Sequence, residues 1–450
     1  MKTSYLNLLF LLSVVAATAV LPSCNKQEGC TDPNANNYDP DADLEDGSCE
    51  YGNPSNGTTL AGTLTENQTL TSDEIWLLDG RVIVGDGVTL TIEAGTIVKG
   101  KQGAGTNASA LIVAKGGKVM ANGTASEPII FTTELDNIAL GETVGTNLLK
   151  TDNEKWGGIM ILGKAPVSTE NGDTEGNIEG IPANLGYGAY GGSVDDDNSG
   201  VLSYVSIRHG GITIGEGNEI NGLTLGGVGS GTTINNIEIY ATLDDGIECF
   251  GGTVDIDNAL VFYQGDDGID IDQNYSGTIT GFAVIHGDGI GTDEGLEIDG
   301  PEGSTHVDGQ FSLVNGVCKS DGSSDGTAGD FKSKAQGTVE NVTFDYSSVG
   351  GSVVKFRTKF DGSCVHKDDA YKYLTAPSGA KSLTFTNCDV TGGTSVYDGD
   401  EDLPDTPTAC PTELTAAQSS AASAITSGTG STYDYANQFS WGAAGTKGEL

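Results

Sequence analysis

Short apolar runs recur along most of the chain and never lengthen into a helical period. Val88-Thr89-Leu90-Thr91-Ile92 alternates, and Ala94-Gly95-Thr96-Ile97-Val98 follows it. Ala110-Leu111-Ile112-Val113-Ala114 and Pro128-Ile129-Ile130-Phe131-Thr132 keep the same rhythm. Runs of this length between Gly-rich turns predict short strands. Asn-Gly turns between strands of equal length, the hairpin signal, are sparse. The pattern therefore predicts parallel coils and not an antiparallel sandwich. One Ala/Ser-rich stretch, 413–427, is the only predicted helix, placed as a cap on the open end.

The middle of the chain sets the coil length. Asp244-Asp245-Gly246-Ile247-Glu248 returns 22 residues on as Asp266-Asp267-Gly268-Ile269-Asp270, and 27 further on as Asp293-Glu294-Gly295-Leu296-Glu297. Recurrence at this length is one turn of a β-solenoid. Ile247, Ile269 and Leu296 precede Cys249, Ile271 and Ile298 by two, so both sets face inward. Cys249 on this register is a small apolar filler and not a nucleophile. Asn236 and Asn258, also 22 apart, each open an apolar strand, and Asn315, Asn341 and Asn387 extend the ladder. The predicted fold is all-β: a right-handed parallel β-helix.

Stacking also collects charge. Glu248, Asp270 and Glu297 form an outward column, and Asp245, Asp267 and Glu294 a turn column. Successive members lie about 4.8 Å apart, one strand spacing. Like charges that close raise one another's pKa or recruit a cation. The next coils change sign, with Lys332, Lys334, Lys355, Arg357 and Lys359 inside 28 positions of a chain with only 21 basic residues. Carboxylates beside lysine suit a calcium-dependent polysaccharide lyase. There Asp266, Asp267, Asp270 and Asp293 hold the metal and Lys332 or Lys355 takes the proton. That lyase is the alternative; the main reading is that the Asp-Gly pairs are polar turns and the face binds glycan or matrix without chemistry.

Composition narrows the partners. Acidic residues number 63, and the net charge is −42. That excludes a nucleic-acid footprint and favours divalent cations, calcium first. Gly is 68 of 450 residues and Pro only 12, as many tight turns require. The four His lack metal-ligand spacing. No phosphate loop, nucleophile elbow, zinc motif or dinucleotide fingerprint is present, so no organic cofactor is expected.

The N-terminus reads as an export signal over 1–23: Lys2, an apolar run from Leu6 to Val20, then Leu21-Pro22-Ser23-Cys24. It resembles bacterial lipoprotein signals, which implies acylation of Cys24 and an outer-membrane anchor. The module 24–57 contains Gly29-Cys30-Thr31-Asp32-Pro33, Asn37-Tyr38 and Asp46-Gly47-Ser48-Cys49. It is similar to a Cys-bounded repeat of Gram-negative surface proteins, which implies a Cys30–Cys49 bridge. Asp39, Asp41 and Asp43 alternate there as oxygen ligands for calcium. The β-helix is expected over 58–397, and an acidic linker with the cap over 398–450. The pairing of Cys318, Cys364, Cys388 and Cys410 stays open.

Two further resemblances concern the helix. Gly265-Asp266-Asp267-Gly268-Ile269 looks like the Gly-Asp-Asp-Cys-Ile stretch of polygalacturonases, which implies an acid/base role for the Asp pair in a glycoside hydrolase. Across 60–445 the chain is most similar to uncharacterised Gram-negative surface lipoproteins with a pectate-lyase-like β-helix. Trp156-Gly157-Gly158-Ile159-Met160-Ile161-Leu162-Gly163, the run Asn221 to Thr232, and Phe250-Gly251-Gly252-Thr253 carry that resemblance. It implies a cell-surface module that binds polysaccharide or matrix, with Tyr187 and Tyr190 offered to a ligand.

Overall fold

The computed structural model describes residues 28–29, 42, 44–45, 58–215, 218–287, 292–322, 326–346, 353–391, 393–398, 410–425 and 428–450. Cys24, Cys30, Cys49, Asp39, Asp41 and Asp43 lie outside these residues.

Among the described residues, 25 strands join one ladder in which every pairing is parallel. Each coil contributes strands to three faces, so the chain winds a parallel β-helix. One face stacks Ala110–Val113, Ile159–Leu162, Leu223–Gly226, Ile247–Phe250, Ile269–Asp272, Leu296–Ile298, Gly329–Phe331, Val354–Thr358 and Thr394–Asp398 in that order. Side chains alternate in and out along each strand. Leu225, Cys249, Ile271, Ile298, Phe331 and Phe356 form one inward file, all fully buried. Cys249 is the apolar filler that the period predicts.

The corner between the other two faces explains the Asn ladder. Tyr204, Asn236, Asn258, Gly281, Asn315, Asn341 and Asn387 follow one another there, and every one has a positive φ. Asn and Gly tolerate this left-handed bend best, since other side chains collide with the backbone. Asn387 Nδ2 donates to Asn341 Oδ1 at 2.7 Å, as stacked amides should.

Among the described residues four α-helices occur where the sequence predicts one: Ala370–Thr375 (α1), Pro411–Ala424 (α2), Tyr435–Gln438 (α3) and Ala443–Lys447 (α4). The three unexpected ones span six residues or fewer, too short to display a helical period. Helix α2 is the cap: Ala417, Ala421 and Ile425 enter the main core beside the last coil. A disulfide from Cys364 to Cys410, with Cα atoms 5.6 Å apart, anchors its start. Cys249, Cys318 and Cys388 are free and buried.

Residues 428–450 do not belong to that cap. They run back along the Asn corner towards earlier coils. Thr429 N–H donates to Asn387 Oδ1 at 3.0 Å, Tyr433 Oη to Asn258 Oδ1 at 3.0 Å, and Gln438 to Asn236 Oδ1 at 2.7 Å. Phe439, Trp441, Ala443 and Ala444 then pack with Tyr240, Phe262 and Tyr263 in a second core outside the coils.

Candidate functional site

A four-residue motif builds the charged face. It reads acid, Gly, apolar, acid, and three successive coils carry it. The Gly is steric: a Cβ on Gly246 would sit 2.6 Å from the Gly268 carbonyl and 2.3 Å from Val261. The apolar residue enters the lumen, and the acids flank it on the outside.

In the turn column each carboxylate holds up the next coil. Asp245 Oδ1 accepts the Asp267 N–H at 2.9 Å, and Asp267 Oδ1 accepts the Glu294 N–H at 2.6 Å. Glu294 Oε1 then accepts Thr327 Oγ1 at 3.2 Å and Lys355 Nζ at 2.6 Å.

The outward column is a strict ladder: Glu248 pairs with Asp270, Asp270 with Glu297, Glu297 with Asp330 and Asp330 with Lys355. Lys332 forms an ion pair with Glu297. Arg357 Nε lies 3.0 and 2.9 Å from the two oxygens of Asp330, and its Nη2 reaches the same carboxylate. The acidic coils and the basic coils do meet. Three carboxylates, Glu294, Glu297 and Asp330, thus each have a built-in cation.

Six others have no ion-pair partner among the described residues: Asp245, Glu248, Asp267, Asp270, Asp272 and Asp299. Asp245 and Glu248 are each 7% exposed and Asp267 4%. Burial, then neighbouring carboxylates, push Asp245, Glu248, Asp267, Asp270 and Asp299 well above the usual carboxylate range. Burial also raises Asp272, with Lys332 opposing. Asp272 is the neighbouring carboxylate that adds most to the rise of Asp299 after burial. Glu302, half-buried near Asp272, is pushed up to about 7.

Three compact carboxylate groups result. Oxygens of Asp245, Glu248 and Asp270 lie within 4.8 Å of one another, and so do those of Asp267, Glu294 and Glu297, and those of Asp244, Asp245 and Asp266. Asp266 joins Asp245 from the exposed coil edge, and Asp293, also exposed, joins none of the three. Of the pair that the polygalacturonase resemblance offers, Asp267 is buried and Asp266 is exposed.

The tyrosines are corrected as well. Tyr190 is 3% exposed, packs with Val167, Ile178 and Phe250, and donates to Gln273 Oε1 at 3.2 Å. Its ring is part of a secondary core and is not presented to a ligand. Tyr187 Oη accepts from Arg81 Nη1 at 3.2 Å and packs on the same cluster.

Asn221, Asp272, Asp299 and Glu302 were not singled out from the sequence. Asn221 had a signal: Asn221-Gly222-Leu223-Thr224-Leu225 is the related stretch one coil earlier, with Asn in place of the first acid and Thr224 in place of the second. Its Nδ2 donates to Glu248 Oε2 and, at 3.2 Å, to Thr224 Oγ1.

The stacked faces define a parallel β-helix protein. The family model described as a pectate-lyase like β-helix domain matches residues 62–444, and the chain belongs to that family. Neither curated proteins nor solved structures provide a match.

Proposed function

We propose that this is an exported, lipid-anchored outer-membrane protein displayed at the cell surface, whose β-helix binds or scaffolds matrix glycan without cleaving it. One observation carries the choice of binding over catalysis. Both lysines that would serve as base are clasped by carboxylates of the same columns, Lys355 by Glu294 at 2.6 Å and Lys332 by Glu297. An ammonium engaged by a carboxylate is not poised to take a substrate proton. Asp267, one of three aspartate candidates with Asp266 and Asp270, spends an oxygen on the amide of the next coil. A long solenoid with stacked, repeated faces suits an extended polymer.

The lipid anchor is tested by metabolic acyl labelling of wild type and Cys24→Ala; label only on wild type supports it. The glycan reading is tested by incubation with uronate-rich and neutral polysaccharides, with and without chelator. Co-sedimentation without new chain ends is expected. New reducing ends, or an unsaturated product that disappears with chelator, would replace it with hydrolase or lyase activity.

A further inference from the structure

We propose that Asp245, Glu248 and Asp270, with the amide oxygen of Asn221, hold one divalent cation of the calcium class as a structural element of the helix. The inference is independent of glycan binding, because its ligands are mostly buried under the coil surface.

The three carboxylates alone do not establish a site. Asn221 supplies the second observation. It is 5% exposed, and its Nδ2 is engaged by Glu248 and Thr224. Its Oδ1 is buried and has no hydrogen-bond partner. The Nδ2 contact with Glu248 seats the Asn221 amide beside the cluster. A buried acceptor without a donor costs about 1–3 kcal/mol. Asp270 Oδ1 is likewise buried and unpartnered. Two orphaned acceptors beside three carboxylates call for positive charge.

The fold shows what it does elsewhere with this ladder. Where coils below provide side chains, Lys355, Lys332 and Arg357 neutralise Glu294, Glu297 and Asp330. Above Glu248 the same file continues as Thr224, Met160, Ile112 and Ile83. No cation can come from that side, so the charge at this level comes from outside the chain. All four ligand atoms are hard oxygens, which favours calcium or magnesium over zinc. Two oxygens bound at about 2.4 Å to a common calcium are at most about 4.8 Å apart, and the three carboxylates already meet that limit. Calcium takes 6–8 ligands in flexible geometry, roughly two to four more than this set supplies. Water reaching the half-buried Asp270 completes the shell.

Protons are the competing neutraliser, and the experiment separates the two. The full chain is purified without chelator, dialysed, and its metal counted by mass spectrometry beside Glu248→Gln/Asp270→Asn. Wild type should retain one more calcium per chain than the variant. A cation on Asp39, Asp41 and Asp43 is common to both and cancels. Chelator at neutral pH should lower the wild-type Tm by about 3 °C or more and leave the variant unchanged. Asn221→Ala guards against a variant that does not fold: terbium luminescence with calcium competition should show about 10-fold weaker binding or worse. Equal metal content and an equal chelator response in wild type and variants would overturn the proposal.

Discussion

Gln438 donates its side-chain amide to Asn236 Oδ1 at 2.7 Å, across 202 residues of chain. The contact marks a C-terminal strap that crosses successive coils along the Asn corner. Glu238 anchors its far end, accepting the N–H groups of Ala443 at 2.7 Å and Ala444 at 3.0 Å. A solenoid coil touches only its neighbours. The strap adds contacts that span several coils and couples their unfolding.

Trp441 is the strap's main apolar anchor, edge-on to Tyr204 with ring centroids 5.4 Å apart. Trp441→Ala should cost about 3 kcal/mol, read by urea unfolding. Deleting 428–450 should cost more and expose the Tyr240, Phe262 and Tyr263 surface to a hydrophobic dye. No loss in either case would show that the strap is decoration.

Lys355 pairs with Glu294 in a nearly dry site, where burial and the neighbouring Asp293 and Asp267 still push the Glu294 carboxyl up to about 9. Above that pH Lys355→Met leaves the carboxylate buried and alone, with an expected cost of about 3 kcal/mol. Adding Glu294→Gln removes the stranded charge and should recover most of the loss. A double variant as unstable as the single one would mean that packing, not charge, sets the effect.

Charge crowding predicts an unusual pH dependence. Asp245, Glu248, Asp267, Asp270, Asp272 and Asp299 have folded values raised above their unfolded ones. Their protonated forms favour the folded state. That contribution is complete below an unfolded value of about 4 and is lost as pH rises through the raised values. Glu302, at about 7, falls within this window. His209 and His286 oppose it, since burial pulls both down to about 4. Their neutral rings favour folding above about 6.5, and this is lost as pH falls towards 4. With His306, also lowered by burial, three imidazoles face eight carboxyls, the six above with Glu302 and with Glu294 at about 9, and the carboxyls stay in control. In chelator the Tm should therefore be higher at pH 5 than at pH 8; a flat or rising profile contradicts the burial of unpaired carboxylates.

The left-handed corner has its own test. Asn315 has φ 58°. Asn315→Gly should change stability little, whereas Asn315→Val should cost about 1–2 kcal/mol. Equal melting temperatures for the two variants would mean that the corner relaxes.

The coil period, the inward file through Cys249, Ile271 and Ile298, and the Asn corner were all legible in the chain. Each is set locally, by side-chain alternation or by the conformational freedom of one residue type, and repetition makes it visible. The ion pairs were half legible. The change of sign between Glu297 and Lys332 showed in the sequence, but not which lysine meets which carboxylate, because inserted loops make the coils unequal.

By itself the sequence determined the coil, its core and the file of acids, since these follow from a motif repeated at nearly constant spacing. Only the tertiary structure decided that Asp266 faces solvent while Asp267 is buried, that Tyr190 is packed, and that Asn221 joins Glu248. It alone showed the last 23 residues crossing earlier coils. The reason is physical: burial and charge pairing depend on neighbours one coil or many coils away in sequence, and no local pattern records them.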